Sequence, residues 1–153
     1  MIFRPATRQD LPAVLALLAQ DDGPAAAGPP EPAREPVSEA HELAFAAIEA
    51  DPRNEMLILE EGGVLLGCLQ LTYIPGLGQG GRERALVEAV RIRADRRGGG
   101  LGARLMELAA DRARERGCGL IQLTSSKRRT AAHRFYERLG YTRSHEGFKL
   151  PLV

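Results

Sequence analysis

The sequence predicts a mixed α/β fold whose first half is an antiparallel sheet and whose second half contains a parallel junction. Three observations carry that expectation. Strand-like apolar runs follow one another at Met56 to Glu60, Val64 to Ile74 and Arg84 to Arg93, with glycine-rich connections between them. An amphipathic run, Leu101 to Arg116, follows the last of these through the turn Arg96-Arg97-Gly98-Gly99-Gly100. A short apolar run, Leu120 to Leu123, comes next and reads as a buried parallel strand, which makes strand, helix and strand a right-handed crossover.

The remaining elements follow from local signals. Ile2 to Pro5 reads as a first strand. Thr7 and Asp10 form an N-terminal capping pair, and Leu11, Val14, Leu15 and Leu18 have helical spacing, so a helix is expected from about Arg8 to Gln20. Asp21 to Val37, made largely of Pro, Ala and Gly, reads as a loop. Ser38 caps a second helix, Glu39 to Ala50, with Leu43, Ala46 and Ala47 on its apolar side, and Asp51-Pro52 ends it. Glu61-Gly62-Gly63 is a hairpin turn by its residues. In the third helix Leu101, Leu105, Leu108 and Ala109 share a face, and Gly117 stops it. Thr130 caps a last helix that turns Ala132, Phe135, Tyr136 and Leu139 inward and stops at Gly140. Tyr141 to His145 and Glu146 to Leu152 are expected as closing strands.

At 153 residues, 44% hydrophobic and 27% charged, the chain has the size and balance of one globular domain, residues 1–153. It has no apolar run of the roughly 20 residues that a membrane helix needs and no signal-peptide pattern, so a cytoplasmic protein with no membrane partner is expected. Cys68 and Cys118 fit neither a disulfide framework nor a metal site, and both read as free thiols; no metal is expected. Net charge is +1 but unevenly placed: residues 1–81 hold 4 Arg against 12 acids, and residues 82–153 hold 15 Arg and 2 Lys against 8 acids. The basic half contains the glycine turn, which favours an anionic ligand. Charge alone also leaves nucleic acid open, but no recognised binding motif appears and aromatics are only 5%, so no nucleic-acid partner is expected.

The glycine turn is the centre of the chemistry. Glycine lets a backbone adopt positive φ and approach a ligand closely, and the free N–H groups at the start of the following helix form an anion site. A phosphate or pyrophosphate fits there; a plain surface turn is the competing reading of the glycines alone. On the preceding strand Leu86, Glu88, Val90 and Ile92 share one parity, so a carboxylate interrupts an apolar row. Burial there would raise the Glu88 pKa toward the range of a general base, unless Arg82, Arg84 or Arg91 pairs with it or a bulge changes the parity. Tyr136 faces inward with Phe135, and a buried phenol needs a partner; it is the candidate general acid, against a structural tyrosine bonded to the backbone.

These motifs resemble the GCN5-related N-acetyltransferase (GNAT) superfamily over essentially the whole length. That family's cofactor motif is Arg or Gln, two residues, Gly, one residue, Gly or Ala, which Arg97-Gly98-Gly99-Gly100-Leu101-Gly102 fits. Its later motif appears as Ala132-His133-Arg134-Phe135-Tyr136-Glu137-Arg138-Leu139-Gly140-Tyr141, about 40 residues on. The segment around Phe135-Tyr136, with Ser144-His145, is also similar to bacterial aminoalkylphosphonate N-acetyltransferases. The resemblance implies a GNAT-like, mostly antiparallel sheet with a splayed parallel junction and helices on both faces. It implies acetyl-coenzyme A (acetyl-CoA) as co-substrate, its pyrophosphate on the backbone of Arg97, Gly98, Gly99, Gly100, Leu101, Gly102 and Ala103. The pantetheine arm then lies along Val90 and Ile92, with the Ile92 N–H aimed at the thioester carbonyl. Glu88 stands where related enzymes place a general base. The acceptor is a primary amine of a small molecule, attacking directly in a ternary complex, and a homodimer is a further partner state. A non-catalytic coenzyme A sensor and a protein-amine acetyltransferase are the alternatives. Arg129 stands where many relatives have Asn, so that Asn's contact with the cofactor arm does not carry over; Arg129 reads as solvent-facing, against a contact with a phosphate. His133 reads as a structural or surface residue, and His41 stands on the second helix beside the loop, where a substrate contact is left open.

Overall fold

The structure is a computed structural model that describes residues 1–20 and 36–153. Most of the expected loop Asp21 to Val37 therefore lies outside the described residues. The described residues form two compact units, 1–122 and 123–153.

The first unit is organised on a five-stranded sheet of order β1-β2-β3-β4-β5. Its strands are β1 (Ile2–Pro5), β2 (Asn54–Glu61), β3 (Val64–Ile74), β4 (Arg84–Ile92) and β5 (Leu120–Leu123). The first four pair antiparallel and β5 lies parallel to β4. Glu61 pairs with Val64 across Gly62 and Gly63, whose φ values of 58° and 79° are those of a type I′ hairpin that twists with its strands.

Alternation gives this sheet two different faces. Leu57, Leu69 and Leu71, with Tyr73, Ala85 and Val87, point to one side, where Leu101, Leu105, Met106, Ala109 and Ala113 of helix α3 (Leu101–Arg116) are buried. Leu108, expected inward, is only half-buried, and Met106 takes that place. At the rim Arg112 of α3 forms a bidentate pair with Glu55, whose carboxylate also accepts from the Tyr73 hydroxyl at 2.6 Å. Arg116 lies 4.0 Å over the Tyr73 ring.

On the other face Met56, Ile58 and Cys68 meet Leu11, Val14 and Leu17 of helix α1 (Leu11–Leu18) and Phe45 of helix α2 (Glu39–Ala50). The expected first helix begins as a 3₁₀ turn, Arg8–Asp10, where the Asp10 carboxylate accepts from the Thr7 N–H at 2.7 Å. Ser38 caps α2 as expected, its hydroxyl accepting from the His41 N–H at 3.2 Å. The buried stripe of α2 is Phe45 with Ile48 and His41 at its flanks; Leu43, Ala46 and Ala47 are exposed, contrary to the sequence expectation. Both series have helical spacing, and the one with the larger apolar volume turns inward.

The second unit contains helix α4 (Thr130–Arg138), stopped by Gly140 at φ 95°. Ala132, Phe135 and Tyr136 are half-buried on its inward side, while Leu139 is exposed. The two expected closing strands are absent: residues 141–153 carry no regular secondary structure. Their apolar members Phe148, Leu150 and Leu152 alternate as a strand's would, but all three are exposed, and alternation without a paired neighbour leaves the ladder hydrogen bonds unmade.

Candidate active site

Strand β4 changes character halfway. Gln70 pairs with Glu88 and Cys68 with Arg91, so two steps of β3 face three steps of β4. The extra residue forms a bulge in which Ala89 has φ 55°, and its carbonyl lies 3.7 Å from the Cys68 sulfur. Beyond the bulge the strands close tightly. A Cβ on Gly67 would meet Ile92 Cδ1 at 2.9 Å and the Arg91 carbonyl at 3.0 Å, so only glycine fits there.

The bulge breaks the parity that the sequence predicted. Glu88 and Arg91, three residues apart, fall on the same face, the one that carries Met56, Ile58, Cys68 and Gln70. Glu88 is exposed rather than buried, because this face is covered by α1 and α2 only as far as the Met56, Ile58 and Cys68 cluster. The Glu88 carboxylate therefore lacks the burial that its sequence pattern suggests and keeps its place on the strand before the glycine turn. No arginine pairs with Glu88 among the described residues. Arg91 is half-buried, with its Nη1 donating to the Val90 carbonyl at 2.9 Å and its Nε buried without a hydrogen-bond partner among the described residues.

The edge of β4 that faces away from β3 is equally defined. Arg93 donates its N–H to the Leu66 carbonyl at 2.8 Å, so alternation turns the N–H groups of Val90 and Ile92 toward the β5 edge. Strand β5 is four residues long against nine and enters beside Glu83, where Gly119 N–H donates to the Glu83 carbonyl at 2.8 Å. It reaches along about the first half of that edge.

The glycine turn follows directly. After the 3₁₀ turn Ala94–Arg96, Arg97 donates from Nε to the Ile92 carbonyl at 3.2 Å and ties the turn to the strand end. Gly98 and Gly100 have φ of 81° and 83°, the left-handed region that disfavours a side chain, whereas Gly99 does not. A Cβ at Gly98 or Gly100 would meet no atom of the described residues within 4 Å, so they leave the space over the turn open. Arg104 N–H makes the first bond of α3, to the Gly100 carbonyl, and among the described residues no side chain caps the helix or places an acid in its first turn. The N–H groups of Leu101, Gly102 and Ala103 precede that first bond. Open space, positive φ and uncapped N–H groups fit the diphosphate of a coenzyme. Glu88, Val90, Ile92 and residues 97–103 thus form one continuous stretch.

Tyr136 belongs to the second unit. Its ring meets Phe135 and Tyr141 edge to face, with centroids at 5.1 and 5.9 Å. His133 Nε2 donates to the Ser126 carbonyl at 2.8 Å, which fits a positioning role in this loop. Arg129, expected to face solvent, is half-buried and donates its N–H to the Ser126 carbonyl at 3.0 Å. Both cysteines are free, and burial pushes the Cys68 thiol up to about 12. No helix among the described residues is long and apolar enough to cross a membrane.

Sequence reasoning missed Asp51, Asn54 and Gln70, which join on the face that holds Glu88. Asn54 Nδ2 donates to Asp51 Oδ2 at 2.8 Å, and Asn54 Oδ1 accepts from Gln70 Nε2 at 3.2 Å and Thr72 Oγ1 at 2.8 Å. The alternation Leu69, Gln70, Leu71, Thr72, Tyr73 was the available signal: two polar residues share one face of a strand otherwise made for burial.

The partly covered edge of β4, the glycine turn and the start of α3 thus follow one another along the chain. The acetyltransferase (GNAT) family profile matches residues 18–141, and the chain belongs to that family. It is 32% identical over 104 residues to an aminoalkylphosphonate N-acetyltransferase from Salmonella typhimurium strain LT2, a match covering 68% of this chain and 67% of that protein. Among solved structures, a transcriptional regulator from Bacillus halodurans C-125 is 40% identical with a TM-score of 0.86, over 99% of both chains. Glucosamine-6-phosphate N-acetyltransferase from Arabidopsis thaliana shares the fold, with a TM-score of 0.79 at 17% identity over 99% of this chain and 98% of that one.

Proposed function

We propose that residues 1–153 work as one N-acetyltransferase domain, which transfers the acetyl group of acetyl-CoA to the primary amine of a small molecule by direct attack in a ternary complex. The uncapped start of α3 behind Gly98 and Gly100 is the observation that carries this reading. Acetyl-CoA supplies an activated acetyl group as a thioester. The N–H groups around Arg97 to Ala103 bind its phosphates, and those of Val90 and Ile92 hold its arm along the free edge of β4. Glu88 removes the proton of the attacking amine, directly or through water, and the Tyr136 hydroxyl returns a proton to the departing sulfur. Two observations support a small acceptor: the curated relative carries the name of a small-molecule enzyme, and Arg91 presents an unpaired cation on the Glu88 face among the described residues. The bulge fits the three steps from Glu88 to Arg91 into the length of two steps of β3, which sets them about 7 Å apart, a spacing suited to an amine that also bears an anionic group.

The test has two parts. Gly100→Val should abolish coenzyme A binding in calorimetry, since a side chain at φ 83° moves the backbone away from the phosphates; unaltered affinity would make the turn merely structural. Glu88→Gln should lose the acidic limb of the kcat/KM profile while keeping coenzyme A affinity, and Tyr136→Phe should lower kcat with stability retained. An unchanged profile removes Glu88 from the reaction, and an unchanged kcat removes Tyr136.

A further inference from the structure

The polar chain on the Glu88 face has a direction. Asp51 is a carboxylate kept below its ordinary pKa by the Arg53 N–H and by Asn54, so near neutral pH it only accepts hydrogen bonds. Asn54 must therefore turn its NH₂ toward Asp51 and its carbonyl oxygen the other way, toward Gln70 and Thr72. An oxygen there only accepts, so Gln70 must in turn present its NH₂ to Asn54. Every amide orientation follows from the carboxylate at the start. The chain ends on Gln70 Oε1, which accepts no hydrogen bond among the described residues. Gln70 is half-exposed, and its cross-strand partner is Glu88.

Directly opposed residues on antiparallel strands have Cβ atoms about 5 Å apart. The sheet thus holds two hydrogen-bond acceptors side by side, one charged and one neutral. Neither has a donor of the described residues to satisfy it. A primary ammonium group, with three N–H donors on one positive centre, satisfies both at once. A hydroxyl has one donor and no charge, and a protonated tertiary amine has a single N–H.

We propose that Gln70 is a specificity-determining residue for the acceptor: its side-chain carbonyl oxygen accepts a hydrogen bond from the acceptor's primary ammonium group beside Glu88. Asp51 and Asn54 are positioning residues that aim it. The assignment rests on the N-acetyltransferase reading, because it places the reacting amine next to Glu88. It goes beyond that reading by giving the selection of primary amines to β3 rather than to the base alone.

The decisive comparison is Gln70→Met with Gln70→Glu, with 2-aminoethylphosphonate, β-alanine and propylamine as probes, followed by calorimetric binding and by acetyl transfer. Gln70→Met keeps the length of the side chain and removes both polar ends. Gln70→Glu keeps an acceptor for the ammonium but has no N–H for Asn54. Recognition by the carbonyl oxygen predicts that Gln70→Met raises the amine Kd and KM roughly tenfold or more, with kcat changed much less. Gln70→Glu stays within about threefold of wild type, since charge-assisted bonds are the stronger kind. Asn54→Ala, which frees Gln70 without touching the amine, shifts KM in the same direction by less and leaves kcat alone. A role in holding the strands together predicts the opposite order, with Gln70→Glu at least as damaging as Gln70→Met. That order, or an amine Kd indifferent to both changes, overturns the proposal. Thermal unfolding of each variant shows that a loss of binding is not a loss of fold. Binding and transfer separate the two readings: a wild-type protein that binds the amines and acetylates none refutes acetyl transfer to these amines and leaves the contact standing. Acetylation with a KM indifferent to Gln70 refutes the contact alone.

Discussion

The two faces of the same sheet are built from neighbouring residues of the same strands, yet they do different work. The α3 face is apolar through its whole width, from Leu57 through Leu69 and Leu71 to Val87, and is closed at its rim by Glu55, Arg112, Tyr73 and Arg116. The opposite face is covered where Met56, Ile58 and Cys68 meet α1 and α2, and then becomes mixed, with Asn54, Gln70, Thr72 and Glu88 beside Leu86. Side chains on the first face satisfy each other. Those on the second leave acceptors and a cation unsatisfied among the described residues, and a surface left in that state is suited to a ligand. The difference teaches that stability and recognition can share a strand because alternation keeps them a full sheet thickness apart.

The sharpest way to break the comparison is to damage each face and weigh the losses. Leu105 is fully buried against the sheet, and Leu105→Ala should lower unfolding stability by about 2–5 kcal/mol in chemical denaturation. A loss below about 1 kcal/mol would mean that the α3 face is not the main core. The rim should come next. Arg112, and then the Tyr73 hydroxyl, hold the Glu55 carboxyl below its ordinary value of 4.5. Its ion pair therefore contributes fully above that pH and is lost as pH falls through the lower folded value. Glu55→Gln should be about 1–3 kcal/mol less stable than wild type at pH 7, with the gap narrowing on acidification. A gap that stays constant to low pH would show that the pair carries no net charge-dependent stabilisation. On the other face, Glu88→Gln should change stability by no more than about 0.5 kcal/mol, since the side chain is exposed. If it matched Leu105→Ala, the division of labour between the faces would be wrong. The smallest effect is chemical: with its thiol buried and its pKa pushed up to about 12, Cys68 should resist thiol reagents in the folded protein while half-buried Cys118 reacts first. Equal labelling rates would indicate that the α1 and α2 cover opens readily.

Sequence by itself determined the elements whose signals are local. Strand β3 and helices α2 and α3 have the predicted ends, because Ser38, Gly62-Gly63, Gly100 and Gly117 act on the backbone within a turn of where they stand. The coenzyme stretch was legible for the same reason: Gly98 and Gly100 take positive φ through their own lack of a Cβ, whatever surrounds them. Tertiary structure decided which residues meet. Phe45 rather than Leu43 faces the sheet, since helical spacing admits both and only packing chooses. Glu88 and Arg91 share a face because Ala89 is the extra residue opposite Cys68 to Gln70, and strand parity read along one chain cannot register a residue that its partner strand does not match. Asp51, Asn54 and Gln70 come from the end of a helix and two strands, and their direction as a hydrogen-bond chain exists only once pairing brings Asn54 and Thr72 opposite each other. Such long-range coincidences depend on register, which no local propensity contains.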